Sequence, residues 1–143
     1  MSNMNLNPQI GLSFDGRCEA AFKFYERCLN GKIEYLLRWG ESPMAKDSPP
    51  ETHGLIMHST LAVGNSQIMC ADSPPNHYQK PTGMNVSLHV KDKAEGERLF
   101  KALSESGNVI MPFAETFWSP GFGMCVDRFG IPWMINTEGD NAG

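Results

Sequence analysis

The stretch Glu115-Thr-Phe-Trp-Ser-Pro-Gly-Phe-Gly-Met-Cys-Val-Asp-Arg-Phe-Gly-Ile-Pro-Trp-Met-Ile-Asn136 decides the fold. Its apolar runs predict two strands, residues 121–126 and 132–136, joined by the tight turn Asp127-Arg-Phe-Gly130. Asp at the first turn position bonds its own backbone two residues on, and Gly permits positive φ, so this turn has a purely structural explanation. Alternation within the second strand sets Trp133 and Met134 on opposite faces and predicts that Trp133 lies under a helix.

Upstream of this pair, residues 85–90 alternate like a strand. Residues 93–106 predict a helix that buries Leu99, Phe100 and Leu103, with Gly107 as its stop and a further strand at 109–112. The first half of the chain follows the same order. Residues 9–14 alternate, with Ile10, Leu12 and Phe14 on one face and Gln9, Gly11 and Ser13 on the other. A helix over 17–29 places Ala20, Ala21, Phe24 and Cys28 at helical spacing, and Asn30-Gly31 supplies a left-handed stop. Strand-like segments at 32–39, 56–63 and 67–71 are separated by a Pro-rich loop at 42–53 and a Gly64-Asn65 turn. Each half therefore reads as βαβββ. Gly16 to Phe24 and Asp92 to Phe100 are both eight steps and end on an aromatic, which puts Gln9 in register with Asn85. An offset of roughly 76 residues is too long for a solenoid and fits a duplicated module. The chain is expected to be a single domain, 1–143, with module one at 8–73 and module two at 83–137.

The C-terminal stretch and Phe14-Asp-Gly-Arg-Cys-Glu-Ala-Ala-Phe-Lys-Phe-Tyr25 together resemble the PhnB-like family of the vicinal oxygen chelate superfamily, which includes glyoxalases, ring-cleaving dioxygenases and bleomycin-resistance proteins. The resemblance implies an α+β fold in which two tandem βαβββ modules form a curved mixed-sheet cup, with a small molecule on its concave face. It also implies dimerisation, and a homodimer is expected. Members of this branch are often labelled demethylubiquinone methyltransferases, but the Gly-rich strand–turn–helix that would hold an adenosyl cofactor is missing from the sequence. The family name also implies phosphonate metabolism, for which no anion-binding Arg/Lys cluster is evident.

Composition limits the remaining options. The chain has 143 residues, 41% apolar and 20% charged, a size and balance that fit a globular unit. No apolar run approaches the ~20 residues that span a bilayer. The N-terminus lacks the basic head and apolar core of a signal peptide, which argues against export and predicts a cytoplasmic protein. A net charge of −4 argues against nucleic acid as a partner. Cys18, Cys28, Cys70 and Cys125 form no C-x-x-C pair, and four buried, reduced thiols are expected.

In metal-dependent relatives the ligands come from the first and last strand of each module, and are typically His, Gln and Glu. Carried over, these positions fall on Gln9 and Asn85 in the first strands, on Met134 in the last strand, and on Ile68 or Met69 as its counterpart. Two amides and two apolar side chains do not repay the dehydration of a hard divalent cation, so no metal and no cofactor are expected. Relatives of the bleomycin-resistance type also lack the metal and still bind a ligand. Parity puts Gln9, Gly11, Ser13, Asn85, Ser87 and His89 on one unusually polar face. His89 either acts as acid or base or anchors a loop or inter-strand bond. His58, with Thr60 and Ala62, is the second catalytic candidate. His53 and His77 are expected at the surface. Aromatics such as Trp39, Phe117 and Phe122 line a pocket or fill core. Trp118 and Glu115 are expected at the rim, and the Arg17/Glu19 and Glu97/Arg98 charges on solvated helix faces. The expected ligand-binding set is Gln9, Ser13, His58, Asn85, Ser87, His89, Glu115, Trp118 and Met134. Three functions compete: a metal-free binder of an unidentified small molecule; an enzyme of lyase or isomerase type using His89, His58 or a displaced metal; and a protein-interaction domain.

Overall fold

The computed structural model describes residues 6–74 and 76–138. The chain falls into two compact units, Met1–Tyr78 and Gln79–Gly143, each a βαβββ module. The class is α+β, with two four-stranded mixed sheets, as the resemblance implies, and alternation locates the strands. Both helices have 12 residues, and none among the described residues is long and apolar enough to cross a membrane.

In the first unit, β1 (Ile10–Phe14), α1 (Cys18–Leu29), β2 (Lys32–Arg38), β3 (Ile56–Val63) and β4 (Ser66–Asp72) build a sheet of order β1-β4-β3-β2. β1 runs parallel to β4, and the other pairs are antiparallel. Leu12 and Phe14 face the helix, which buries Ala21, Phe22, Tyr25 and Cys28. Phe22 and Tyr25 are fully buried, and each such side chain contributes about 1.5–3 kcal/mol. Ala20 is exposed, so the buried stripe runs through Phe22 and Tyr25 instead. Asn30 adopts the left-handed conformation at the helix end, φ 53°, as its sequence predicts.

Asp72, at the end of β4, holds the start of α1. One carboxylate oxygen accepts the Gly16 and Cys18 amides at 3.0 and 2.9 Å, and the other accepts Ile56 N–H at 2.9 Å. An anion at a helix N-terminus also opposes the helix dipole. Glu19 ties the same helix to β2 through Arg38 at 2.5 Å. The Arg38 guanidinium, helped by Lys23, holds the Glu19 carboxyl below the usual range.

Cys18 and Cys70 form a disulfide between the first residue of α1 and the middle of β4. This corrects the expectation of four reduced thiols. The two residues are 52 apart in sequence, and only the packing of helix on sheet brings them together. Cys28 and Cys125 stay buried thiols. The Pro-rich loop forms three short 3-10 turns, Trp39–Glu41, Ala45–Asp47 and Pro50–Thr52. His53, expected at the surface, is half-buried beneath them, with Nε2 3.0 Å from the Ala45 carbonyl and 3.2 Å from that of Ser48. Its ring fastens the loop.

The second unit repeats the pattern with β5 (Val86–Val90), α2 (Lys93–Ser104), β6 (Asn108–Ala114), β7 (Phe122–Val126) and β8 (Pro132–Thr137), in the order β5-β8-β7-β6. Asp92 caps α2 by accepting the Ala94 amide at 3.1 Å. The helix ends two residues earlier than expected: Glu105 already leaves the helical region at ψ 126°, and Ser106 then turns left-handed at φ 61° ahead of Gly107. Leu99, Phe100, Leu103, Trp133 and Ile135 form its core. Gly123 admits the Phe100 ring, which would lie 2.7 Å from a Cβ there. β6 is one of the two edge strands, with β5 the other; it carries Pro112 and shifts register between Val109 and Met111 and again between Met111 and Ala114.

The Asp127 turn does more than the sequence predicts. One Asp127 oxygen accepts the Phe129 and Ile131 amides at 2.8 and 3.1 Å, and the other accepts Trp133 Nε1–H at 2.8 Å. Gly130 sits at φ 91°, so only glycine is unstrained there. The turn thus fixes the hairpin and anchors the largest core side chain.

Candidate functional site

Strand pairing settles the register of the last strands. Met69 lies opposite Gly11, and Met134 lies opposite Ser87, so Met69 rather than Ile68 is the counterpart of Met134. Ile68 belongs to the core. In each unit the residues alternating with the core form an open sheet face.

On the first face, Gly11 and Ser13 are exposed on β1, Met69 and Ala71 are half-buried on β4, and Thr60 and His58 follow on β3. The His58 ring lies 5.9 Å from the Tyr35 ring. Gln9 donates to Gln67 Oε1 at 3.1 Å, and Gln67 donates to Glu34 Oε1 at 2.9 Å. Gln9 thus spends an amide N–H at a surface position.

On the second face, Ser87 donates to Asn85 Oδ1 at 2.8 Å. Met134 stands opposite Ser87 and Met124. One row further along, Asn136 lies between His89 on β5 and Phe122 on β7. Asn136 Nδ2 is 3.5 Å from His89 Nδ1. Asn136 Oδ1 is removed from solvent and has no hydrogen-bond partner among the described residues.

Trp118 stands over this row. Its ring meets Phe122 edge-on at 5.2 Å and 73°, and Phe117 meets Trp118 edge-on at 4.8 Å and 82°. Edge-to-face geometry is favoured by the ring quadrupoles. The loop is pinned: the Thr116 amide donates to the Ser119 carbonyl at 2.9 Å, and the buried Ser119 hydroxyl lies 2.7 Å from the Thr137 carbonyl and 2.8 Å from that of Gly121. Glu115 opens the loop and is exposed.

The structure therefore gathers Asn85, Ser87, His89, Trp118 and Met134 on or beside the second face, with Glu115 opening the loop that carries Trp118. Gln9, Ser13 and His58 lie on the first. Sequence reading missed Asn136, although it follows Met134 by two residues and so had to share its face. It also did not show that Phe122 links Asn136 to Trp118, a link made by strand pairing.

The four positions that carry metal ligands in metal-dependent relatives do not fit a divalent cation. Gln9 and Asn85 offer only neutral amide oxygens, that of Asn85 already accepting from Ser87, and Met69 and Met134 offer soft thioethers. No three His, Cys, Asp or Glu side chains come together as a metal-holding group among the described residues.

Two four-stranded βαβββ modules define the fold of the glyoxalase/bleomycin-resistance/dioxygenase superfamily. A glyoxylase/bleomycin resistance protein/dioxygenase domain from Frankia sp. EAN1pec matches at a TM-score of 0.66 and 10% identity, a likeness of fold alone. The chain belongs to the PhnB-like family described as 3-demethylubiquinone-9 3-methyltransferase, whose model matches residues 8–136. It is 36% identical to protein YjdN of Escherichia coli (strain K12), over 94% of this chain and 95% of that one. Protein PA1353 from Pseudomonas aeruginosa matches at 43% identity and a TM-score of 0.87, over 95% of this chain and all of that one. A putative 3-demethylubiquinone-9 3-methyltransferase, PhnB protein, from Bacillus cereus matches in fold at 23% identity and a TM-score of 0.78, over 92% and 99%.

Proposed function

We propose that this protein binds a small molecule on its open sheet faces without the superfamily metal centre. The observation that carries the reading is the second face, where a polar row of His89 and Asn136 lies beside aromatic rings on a pinned loop. A surface held before the ligand arrives loses less entropy on binding. Methyl transfer is less well supported: the glycine turn that opens α1 gives its Gly16 amide to Asp72 rather than offering it to a cofactor.

Native mass spectrometry with metal analysis on the same gently purified sample tests this. A metal-free protein carrying an organic adduct is the expected result. A stoichiometric divalent metal would overturn it. The same spectrum tests a homodimer, which the exposed apolar Val109, Ile110 and Met111 of β6 support.

A catalytic reading is favoured by one contact, Asn136 beside His89 Nδ1, which can orient the imidazole while its outer edge stays exposed. Turnover lost in His89→Gln but retained in His58→Gln would support it, once the adduct supplies a substrate.

A further inference from the structure

We propose that Phe117, Trp118 and Phe122, with the Asn136–His89 edge, form a subsite for an uncharged planar ring bearing an amide-type hydrogen-bonding edge. The proposal rests on the small-molecule reading above and names its ligand class.

The rings form a ladder that climbs from the sheet into solvent. Phe122 is 8% exposed, Trp118 51% and Phe117 97%. Exposing that much aromatic surface is costly, and the pinned loop cannot relieve the cost by folding the rings inward. A flat ring laid against Trp118 removes the surface from water and gains the quadrupole contacts that edge-to-face neighbours leave open.

The polar end of the subsite asks for a complement. Whichever way the Asn136 amide is turned, one end meets His89 and the other is buried without a partner. A buried polar group left unpaired costs free energy, and a ligand that draws the Asn136 side chain toward the open face and bonds its amide would restore it. An amide edge, with donor and acceptor side by side, matches an asparagine amide and an imidazole together.

Charge selects against the alternatives. Asn85, Ser87, His89, Phe122, Met124, Met134 and Asn136 include no lysine or arginine to neutralise a phosphonate or carboxylate. Glu115, which opens the loop, repels an anion.

The test uses the indole N–H signals of the full chain, which has three tryptophans. Trp133 donates its N–H to Asp127 in the core and so reports the fold, while Trp118 reports the subsite. Benzamide, cyclohexanecarboxamide and phenylphosphonate are titrated separately. Benzamide should shift the Trp118 signal saturably and leave Trp133 unmoved, with the other two at least ten-fold weaker. Asn136→Leu and Phe117→Ala should each weaken benzamide at least ten-fold with the Trp133 signal intact; Phe117, at the exposed tip, serves if the buried-amide variant does not fold. Equal binding of cyclohexanecarboxamide or phenylphosphonate at Trp118 overturns the ligand class and leaves small-molecule binding standing. So do benzamide shifts confined to other residues. If no signal responds to any probe and no adduct co-purifies, both readings fail. A Trp118 signal that depends on protein concentration alone assigns the ladder to self-association and overturns the subsite.

Discussion

At the scale of single residues, two carboxylates organise the fold. Asp72 satisfies three backbone amides from two separate segments. Asp72→Ala strands them and should lower the unfolding free energy by about 3 kcal/mol in urea denaturation. Asp72→Asn keeps one accepting oxygen and should cost clearly less. Cys125 makes a second prediction. Burial, with the neighbouring Asp127 charge as the smaller cause, pushes its thiol up to about 12 from an ordinary 9.0. The fold favours the neutral thiol, so this contribution to stability is complete below pH 9 and is lost as pH rises toward 12. Thermal unfolding in that window should fall less steeply for Cys125→Ala than for the parent, whatever their difference at pH 7. The Asp127 turn was legible in the sequence because its bonds are local, whereas its bond to the Trp133 indole was not. Asn136 was half legible: parity fixed its face, but its place between His89 and Phe122 depends on which strands are neighbours.

Secondary-structure elements show the same division. Strand alternation and helix periodicity located both modules, since those periods follow from backbone geometry alone. Links between elements were invisible to them. The Cys18–Cys70 disulfide is the clearest case, joining α1 to β4 across 52 residues. Closing a loop of that length should stabilise the fold by about 4 kcal/mol, chiefly by restricting the unfolded chain. The Cys18→Ala, Cys70→Ala double variant should therefore unfold at lower urea than the oxidised parent. Reducing the parent with dithiothreitol should move its midpoint most of the way to that of the variant. A midpoint unchanged by both treatments would show that the tether contributes nothing.

For the whole molecule, duplication leaves each sheet with two edge strands, and in the second unit one of them is β6. Its composition is hazardous: Val109, Ile110 and Met111 are consecutive, apolar and exposed. A flat edge of that kind can recruit strands from other molecules without limit. Here Pro112 has no N–H to offer, and the two register shifts break the regular spacing that an incoming strand would need. Contacts through the side-chain faces remain open, but regular ladder growth along β6 is disfavoured. Pro112→Val should leave the Trp133 indole signal in place and yet increase light scattering in concentrated, warmed solution. The irregularities of β6 thus act as a safeguard of solubility: they let the chain carry an oily margin without polymerising through it.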